Sequence, residues 1–227
     1  MFKVSAIIPA AGSGIRFGEE KQFKVLNGKP LWSYTLEPFI KSKLIDELIL
    51  VLPEEFILNI KSSHAYSLFS KKKDIKLVPG GLKRKDSVLN GLLSTKNTNE
   101  LVCIHDAARP LIKQSLIEKS INGCKNHDGC ILALPSTDTV KVVKEHVVQE
   151  TIDRDKVWLT QTPQVFWKNQ LLKAYNQNST LDITDESTLM EMAGFSVKII
   201  DGDINNFKIT NSFDWEIFKL IDGKHNS

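Results

Sequence analysis

Residues 3–23 read "KVSAIIPAAGSGIRFGEEKQF", an apolar run that turns abruptly into glycine and charge. The run from Lys3 to Ala10 is short and rich in Val, Ile and Ala, as expected of a strand buried on both faces. Gly12, Gly14 and Gly18 follow. Glycine permits positive φ and lets backbone amides come close to a ligand. Arg16 and Lys21, five residues apart, place two cations in the same loop. Exposed N–H groups and cations just after a strand point to a bound anion. A mobile surface turn with incidental charge is the competing reading.

Working outward, the same alternation repeats. "PLWSYTLEPFIKS" (30–42) spaces Leu31, Tyr34, Leu36 and Phe39 as a helix does, and "ELILVLP" (47–53) is a second buried strand. "DIKLVPGG" (74–81) is a short third strand with a Pro-Gly-Gly turn, and "DSVLNGLLS" (86–94) a helix. "LVCIHDAARP" (101–110), helical "QSLIEKSINGC" (114–124) and "GCILALP" (129–135) extend the pattern to five strands. Apolar strands spaced by helices predict an α/β fold, a mostly parallel sheet with helices on both faces. Right-handed crossovers then bring the strand-end loops to one edge, where such sheets bind ligands. Gly80, Gly81, Arg84, Asp106 and Arg109 join the first loop there.

Residues 138–158, "DTVKVVKEHVVQETIDRDKVW", break the rhythm. Partial alternation around a polar Lys144-Glu145-His146 centre predicts a hairpin or arm. It packs either on a partner subunit or on its own domain. Two helices (168–177 and 185–194), a strand (195–201) and a last helix (212–221) follow. No linker or second domain is visible, so residues 1–227 read as one domain.

Composition narrows the function. Net charge is +3 over 227 residues, 41% of them apolar, which suits an anionic small molecule and argues against a nucleic-acid partner. Lys71-Lys72-Lys73 reads as a solvated turn. Cys103 and Cys130 fall in apolar runs, Cys124 makes no metal-type spacing with them, and the five histidines form no zinc motif. The expectation is a reducing, cytoplasmic setting, with no membrane span, signal or transit peptide.

Several segments carry candidate chemistry. The first loop lacks the Gly-Lys-Ser/Thr of a P-loop, and no acidic residue lies about 20 positions on to hold a dinucleotide ribose. Its glycines and cations suit a triphosphate on which charge builds during transfer. In "PGGLKRKDS" (79–87), Gly80-Gly81 admits a flat ligand such as a base, and Arg84 and Ser87 share a face of the next helix. Asp106 in "IHDAARP" (104–110) sits where a carboxylate would hold Mg²⁺ bound to phosphates; a turn cap is the alternative. His105 reads as an orienting residue rather than a base. Arg154, Thr162, Thr184 and Lys208 offer cations and hydroxyls to a second phosphorylated substrate. Asp182 or Thr184 equally serves to cap the helix near Asp185.

Together, "PAAGSGIRFGEEKQF", "PGGLKRKDSV", "IHDAARP", "DTVK…TIDR", "LTQTPQVF", "ITDES" and "FKIT" resemble, in this order, the 2-C-methyl-D-erythritol 4-phosphate cytidylyltransferases of the non-mevalonate isoprenoid pathway. The resemblance spans about residues 4 to 218. It implies a Rossmann-like nucleotidyltransferase fold of the nucleotide-diphospho-sugar transferase type. It also implies transfer of CMP from CTP to the polyol phosphate with Mg²⁺, and a homodimer through the arm. Carried over residue by residue, Arg16 and Lys21 would be catalytic, and Ala10, Ala11, Gly12, Gly81 and Ser87 would bind CTP. Asp106, Ala107, Arg109, Thr162, Thr184 and Lys208 would surround the acceptor, with Thr139 and Arg154 reaching it from the partner's arm. A ribitol 5-phosphate cytidylyltransferase is the nearest alternative; a dinucleotide-binding oxidoreductase and a non-catalytic nucleotide-binding module stand further off.

Overall fold

The computed structural model describes residues 2–12, 20–178 and 182–225. In the first half, strands β1 (Val4–Pro9), β2 (Val25–Leu26), β3 (Lys29–Pro30), β4 (Glu47–Leu52), β5 (Asp74–Pro79) and β6 (Leu101–Ile104) alternate with helices α1 (Leu31–Lys41), α2 (Ile57–Lys61), α3 (His64–Ser70) and α4 (Arg84–Leu93). Helix α5 (Gln114–Gly123), strands β7 (Gly129–Pro135), β8 (Val140–Lys144), β9 (Val147–Ile152) and β10 (Trp158–Trp167), helices α6 (Lys168–Gln177) and α7 (Glu186–Met192), strand β11 (Val197–Asp201) and helix α8 (Ser212–His225) complete the order.

Seven strands make the main sheet, in the order β11-β7-β10-β6-β1-β4-β5. The β1–β4, β1–β6, β4–β5 and β7–β11 pairings are parallel. Strand β10 alone runs antiparallel, to both β6 and β7. The alternation of β1 splits the core. Ala6 and Ile8 face Trp32, Leu36 and Phe39 of α1 and Ile117 of α5. Ile7 faces Val88 and Leu92 of α4, beside Leu171 of α6 and Leu189 of α7. All six residues of β4 are buried, and each such aliphatic side chain contributes about 1.5–3 kcal/mol. Helix α4 lies close against the sheet because Gly91 faces it; a Cβ there would stand 2.6 Å from Cγ2 of Ile7. That approach sets the first turn of α4, with Arg84 and Ser87, over the ends of β1 and β6.

Strand β10 was not foreseen. Its inner half buries Gln161, Thr162 and Gln164, and a register irregularity separates Gln161 from Gln164. With these polar residues at its centre, the strand leaves only the short apolar run 165–167 to detect. Helices α2 and α3 were also missed. The lysine run 71–73 is not a uniformly solvated turn, because Lys73 Nζ donates to the carbonyls of Ser42 and Ile45, each at 2.6 Å.

The predicted arm is a separate two-stranded sheet, β8 with β9. Glu145 and His146 form its two-residue turn, both at positive φ (49° and 63°). This backbone twist suits a hairpin but is strained for residues bearing a Cβ. Val142, Val143, Val147 and Val148 are exposed.

At the opposite edge of the sheet, the fully buried carboxylate of Glu47 ties β4 to its neighbours. Its Oε1 accepts from Ser5 Oγ (2.6 Å), the Lys96 N–H (2.7 Å) and Asn99 Nδ2 (3.2 Å). Lys76 Nζ stands 3.4 Å from Oε2. Among the described residues, no helix is long and apolar enough to cross a membrane.

Candidate active site

The carboxyl ends of β1, β5 and β6 open into a cavity of about 430 Å³. Its glycine side is built by Ala10, Ala11, Gly12, Lys21, Gly81 and Ser87, its far side by Arg84, Asp106, Ala107 and Lys208. Nine predicted site residues meet here. Arg16, with Gly14 and Gly18, lies outside the described residues.

The glycine side is held by short local contacts. Gln22 Nε2 donates to the Gly12 carbonyl (2.9 Å), anchoring the turn that carries Lys21. The Gly81 N–H donates to Ser87 Oγ (3.1 Å), which itself donates to the Lys83 carbonyl (3.2 Å). Gly80 packs against the first loop; a Cβ there would fall 2.3 Å from that of Ala11. Gly80 and Gly81 do this work through close approach rather than positive φ, which among the described glycines occurs at Gly28 and Gly194.

Asp106 organises the far side. Its Oδ1 accepts from Arg84 Nε (3.2 Å), and its Oδ2 pairs with Lys208 Nζ (2.8 Å), with Arg109 Nε at 3.9 Å. Burial alone would raise the carboxyl pKa, but Arg84, Lys208 and Arg109 outweigh it and hold the group well below the usual carboxylate range. Arg84 Nη1 also donates to both oxygens of fully buried Glu186, each at 2.9 Å. Burial pushes the Glu186 carboxyl up, and Arg84 only partly offsets this. Removing one partner of such a buried pair costs about 3–5 kcal/mol.

Behind Asp106 the hydrogen bonds run in one direction. The Asp106 N–H donates to Thr162 Oγ1 (3.0 Å), which lies 3.0 Å from His105 Nδ1. His105 Nε2 lies 3.1 Å from the Arg109 carbonyl, which only accepts. Nε2 therefore carries the proton, and Thr162 donates to Nδ1. Burial lowers the His105 pKa to about 4, so the ring is neutral at pH 7.

Thr162 and Arg109 thus stand behind the cavity rather than on its lining. Arg109 Nη1 donates to the Asn206 carbonyl at 2.7 Å. Thr184 is exposed beside the start of α7. The cap of that helix is Asp185, which accepts from the Thr188 N–H, and Asp182 instead pairs with Lys83 at 2.9 Å. Thr139 and Arg154 are exposed at the base of the arm, away from this chain's cavity.

Asp106 does not fit its expected role as a magnesium ligand. Both of its oxygens already contact cations, so a divalent ion would have to displace Arg84 or Lys208. Among the described residues, no group of three or more His, Cys, Asp or Glu is placed to hold a metal.

A family model described as IspD, 2-C-methyl-D-erythritol 4-phosphate cytidylyltransferase, matches residues 4–221. The chain belongs to this family. A cytidylyltransferase of this name from Alkaliphilus oremlandii is 40% identical over 217 residues, covering 93% of this chain and 92% of that one. A bifunctional IspD/IspF enzyme from Desulfotalea psychrophila is 37% identical over 92% of this chain, which spans 54% of that protein's length. The crystal structure of 4-diphosphocytidyl-2C-methyl-D-erythritol synthase from Anaerococcus prevotii superposes with a TM-score of 0.83 at 32% identity, covering 96% and 97% of the two chains. The family assignment makes the chain a nucleotidyltransferase, and the Rossmann-like expectation stands with it. Glu186, Tyr175 and Lys83 were missed as site residues. Glu186 lay inside the quoted "ITDES", but its partner is 102 residues away.

Proposed function

We propose that the cavity holds CTP along its glycine side and 2-C-methyl-D-erythritol 4-phosphate along its Asp106 side. An oxygen of the acceptor phosphate forms a bond to the α-phosphorus of CTP, and the bond from that phosphorus to the β-phosphate oxygen breaks, releasing pyrophosphate. Charge carries this reading: among the described residues, Lys21, Lys83, Arg84 and Lys208 line the cavity against a single acid, Asp106. Such transfer depends on positioning and on stabilising charge at phosphorus, so cations matter more than a nucleophilic side chain. Lys21, with Arg16 by family resemblance, takes that role.

The attacking phosphate oxygen is already anionic and needs no base. In keeping with this, Asp106 is held ionised by its cations and is a weak proton acceptor. His105 is fully buried, with both ring nitrogens engaged. A Cβ on Gly12 would meet no protein atom within 4 Å; in this reading, glycine leaves room there for the nucleotide. Thr162 and Arg109 hold the Asp106 turn, Ala107 and Lys208 face the acceptor phosphate, and Thr184 meets the acceptor's hydroxyls. Magnesium, when CTP carries it, would help to neutralise the triphosphate charge without Asp106 as its ligand.

The exposed valines of the arm support a homodimer. Thr139 and Arg154 then serve the partner's cavity, since they do not line their own. Val143 faces Val148 across the hairpin, so the double substitution V143D/V148D should yield monomers in analytical ultracentrifugation. A persistent dimer would reject the arm as the contact. Three buried free thiols, Cys103, Cys124 and Cys130, fit the proposed cytoplasmic setting.

Pyrophosphate release with CTP and Mg²⁺ tests the whole reading, with methylerythritol 4-phosphate and ribitol 5-phosphate as alternative acceptors. Release with the first alone is expected. Release with ribitol phosphate would keep the cavity's chemistry but overturn the acceptor, and release with neither would overturn both.

A further inference from the structure

Glu186 is the most enclosed charge beside the cavity, and the transfer described above makes no use of it. Arg84 Nη1 donates to both of its oxygens, and Tyr175 Oη stands 3.3 Å from Oε1. Three elements meet at this point: Arg84 opens α4, Glu186 opens α7 and Tyr175 lies in α6. From the other side of the same guanidinium, Nε donates to Asp106. Arg84 is therefore fixed between a carboxylate that is wholly enclosed and one that lines the cavity.

An arginine beside a triphosphate ordinarily pairs with phosphate, through a planar fork that suits two oxygens at once. Here Glu186 fixes Nη1 and leaves Nε for Asp106. Without that hold, the guanidinium is free to turn toward ligand phosphates, or to take both oxygens of Asp106 and draw the carboxylate away from Lys208. The glycine side of the cavity has anchors of its own. Gly12 is anchored by Gln22, and Gly81 by Ser87.

We propose that Glu186 is a positioning residue: by fixing Arg84 it sets where Asp106 and Lys208 stand, and so governs binding of the acceptor phosphate while leaving CTP binding largely alone. The proposal rests on the reading of Asp106 and Lys208 as the acceptor side.

The test is steady-state pyrophosphate release by the wild type and E186Q, with calorimetric titration of CTP alone. E186Q should raise the acceptor KM on the order of ten-fold or more, with the CTP Kd changed by less than about three-fold. E186D, which keeps the charge, should recover part of the loss. R84K keeps a cation beside Asp106 but cannot make the planar clamp. It should raise the acceptor KM in the same way, and the R84K/E186Q double variant should be no worse than the poorer single. A lower melting temperature with an unchanged acceptor KM would make Glu186 merely structural and overturn the proposal. So would a parallel rise for both substrates, or additive effects of R84K and E186Q. If E186Q does not fold, R84K with a normal acceptor KM overturns it as well. A wild type inactive with both acceptors overturns the reading of the cavity instead, and the inference with it.

Discussion

Two carboxylates are buried at opposite edges of one sheet, and their surroundings differ in kind. Glu47 is closed in by a hydroxyl, an amide, a backbone N–H and one distant lysine. Asp106 is surrounded by three cations and opens onto a cavity lined by more. Hydrogen bonds that close on themselves lock segments together, here the residues before β6 against β1 and β4. A cluster with surplus charge facing an opening is held ready for a ligand of the other sign. Burial of an acid is therefore uninformative by itself; what surrounds it separates the structural cluster from the functional one.

Substitutions on either side sharpen this contrast. Lys21→Ala on the cavity side should bind CTP but turn over about 10²–10³-fold more slowly, as when other preorganised charge stabilisers are removed. Near-normal turnover would withdraw its assignment. On the closed side, Glu47→Ala should lower stability by about 3 kcal/mol in a denaturant titration, with acceptor KM and CTP Kd unchanged. Altered kinetics there would erase the distinction between the two carboxylates.

A smaller effect comes from His105, which supports the open cluster from behind. Its folded pKa of about 4 lies below the ordinary 6.5, so the unfolded chain takes up a proton first as pH falls. Stability should drop by about 2 kcal/mol between roughly pH 7 and pH 5, and His105→Gln should flatten that part of the curve. A slope equal to the wild type's would show that His105 is not buried neutral. Least of all, replacing Glu145-His146 by Asn-Gly should stabilise the hairpin by less than about 1 kcal/mol, because both positions need positive φ. Slower hydrogen exchange along β8 and β9 would register the gain, and no change would remove the strain argument.

What the sequence disclosed follows the same division. Strands β1, β4, β6 and β7 were legible because buried strands leave nearly continuous aliphatic runs, and the edge strands β5 and β11 because shorter apolar runs remain in them. The arm was legible as a break in that rhythm. Strand β10 was not, because polar Gln161, Thr162 and Gln164, satisfied by partners far along the chain, are buried at its centre ahead of Val165 and Phe166. Gln161 reaches the Asp203 carbonyl and Gln164 reaches Asp185. The loops of the site were found from their glycines and cations, but the pairing of Arg84 with Glu186 left no local signature.

The position of β10 also bears on how the chain assembles as it is made. Strands β5, β4, β1 and β6 are mutual neighbours and complete by residue 104, yet β7, the next to emerge, has no place beside them. It must wait for β10, which is inserted between β6 and β7 only after the whole arm has been synthesised. Until then, the apolar edge of β6 and the unpaired strand β7 are both open to other chains, the condition in which nascent proteins aggregate. The most hazardous interval of its synthesis thus runs from residue 129 to residue 167, and ends with the strand that carries Thr162 to the back of Asp106.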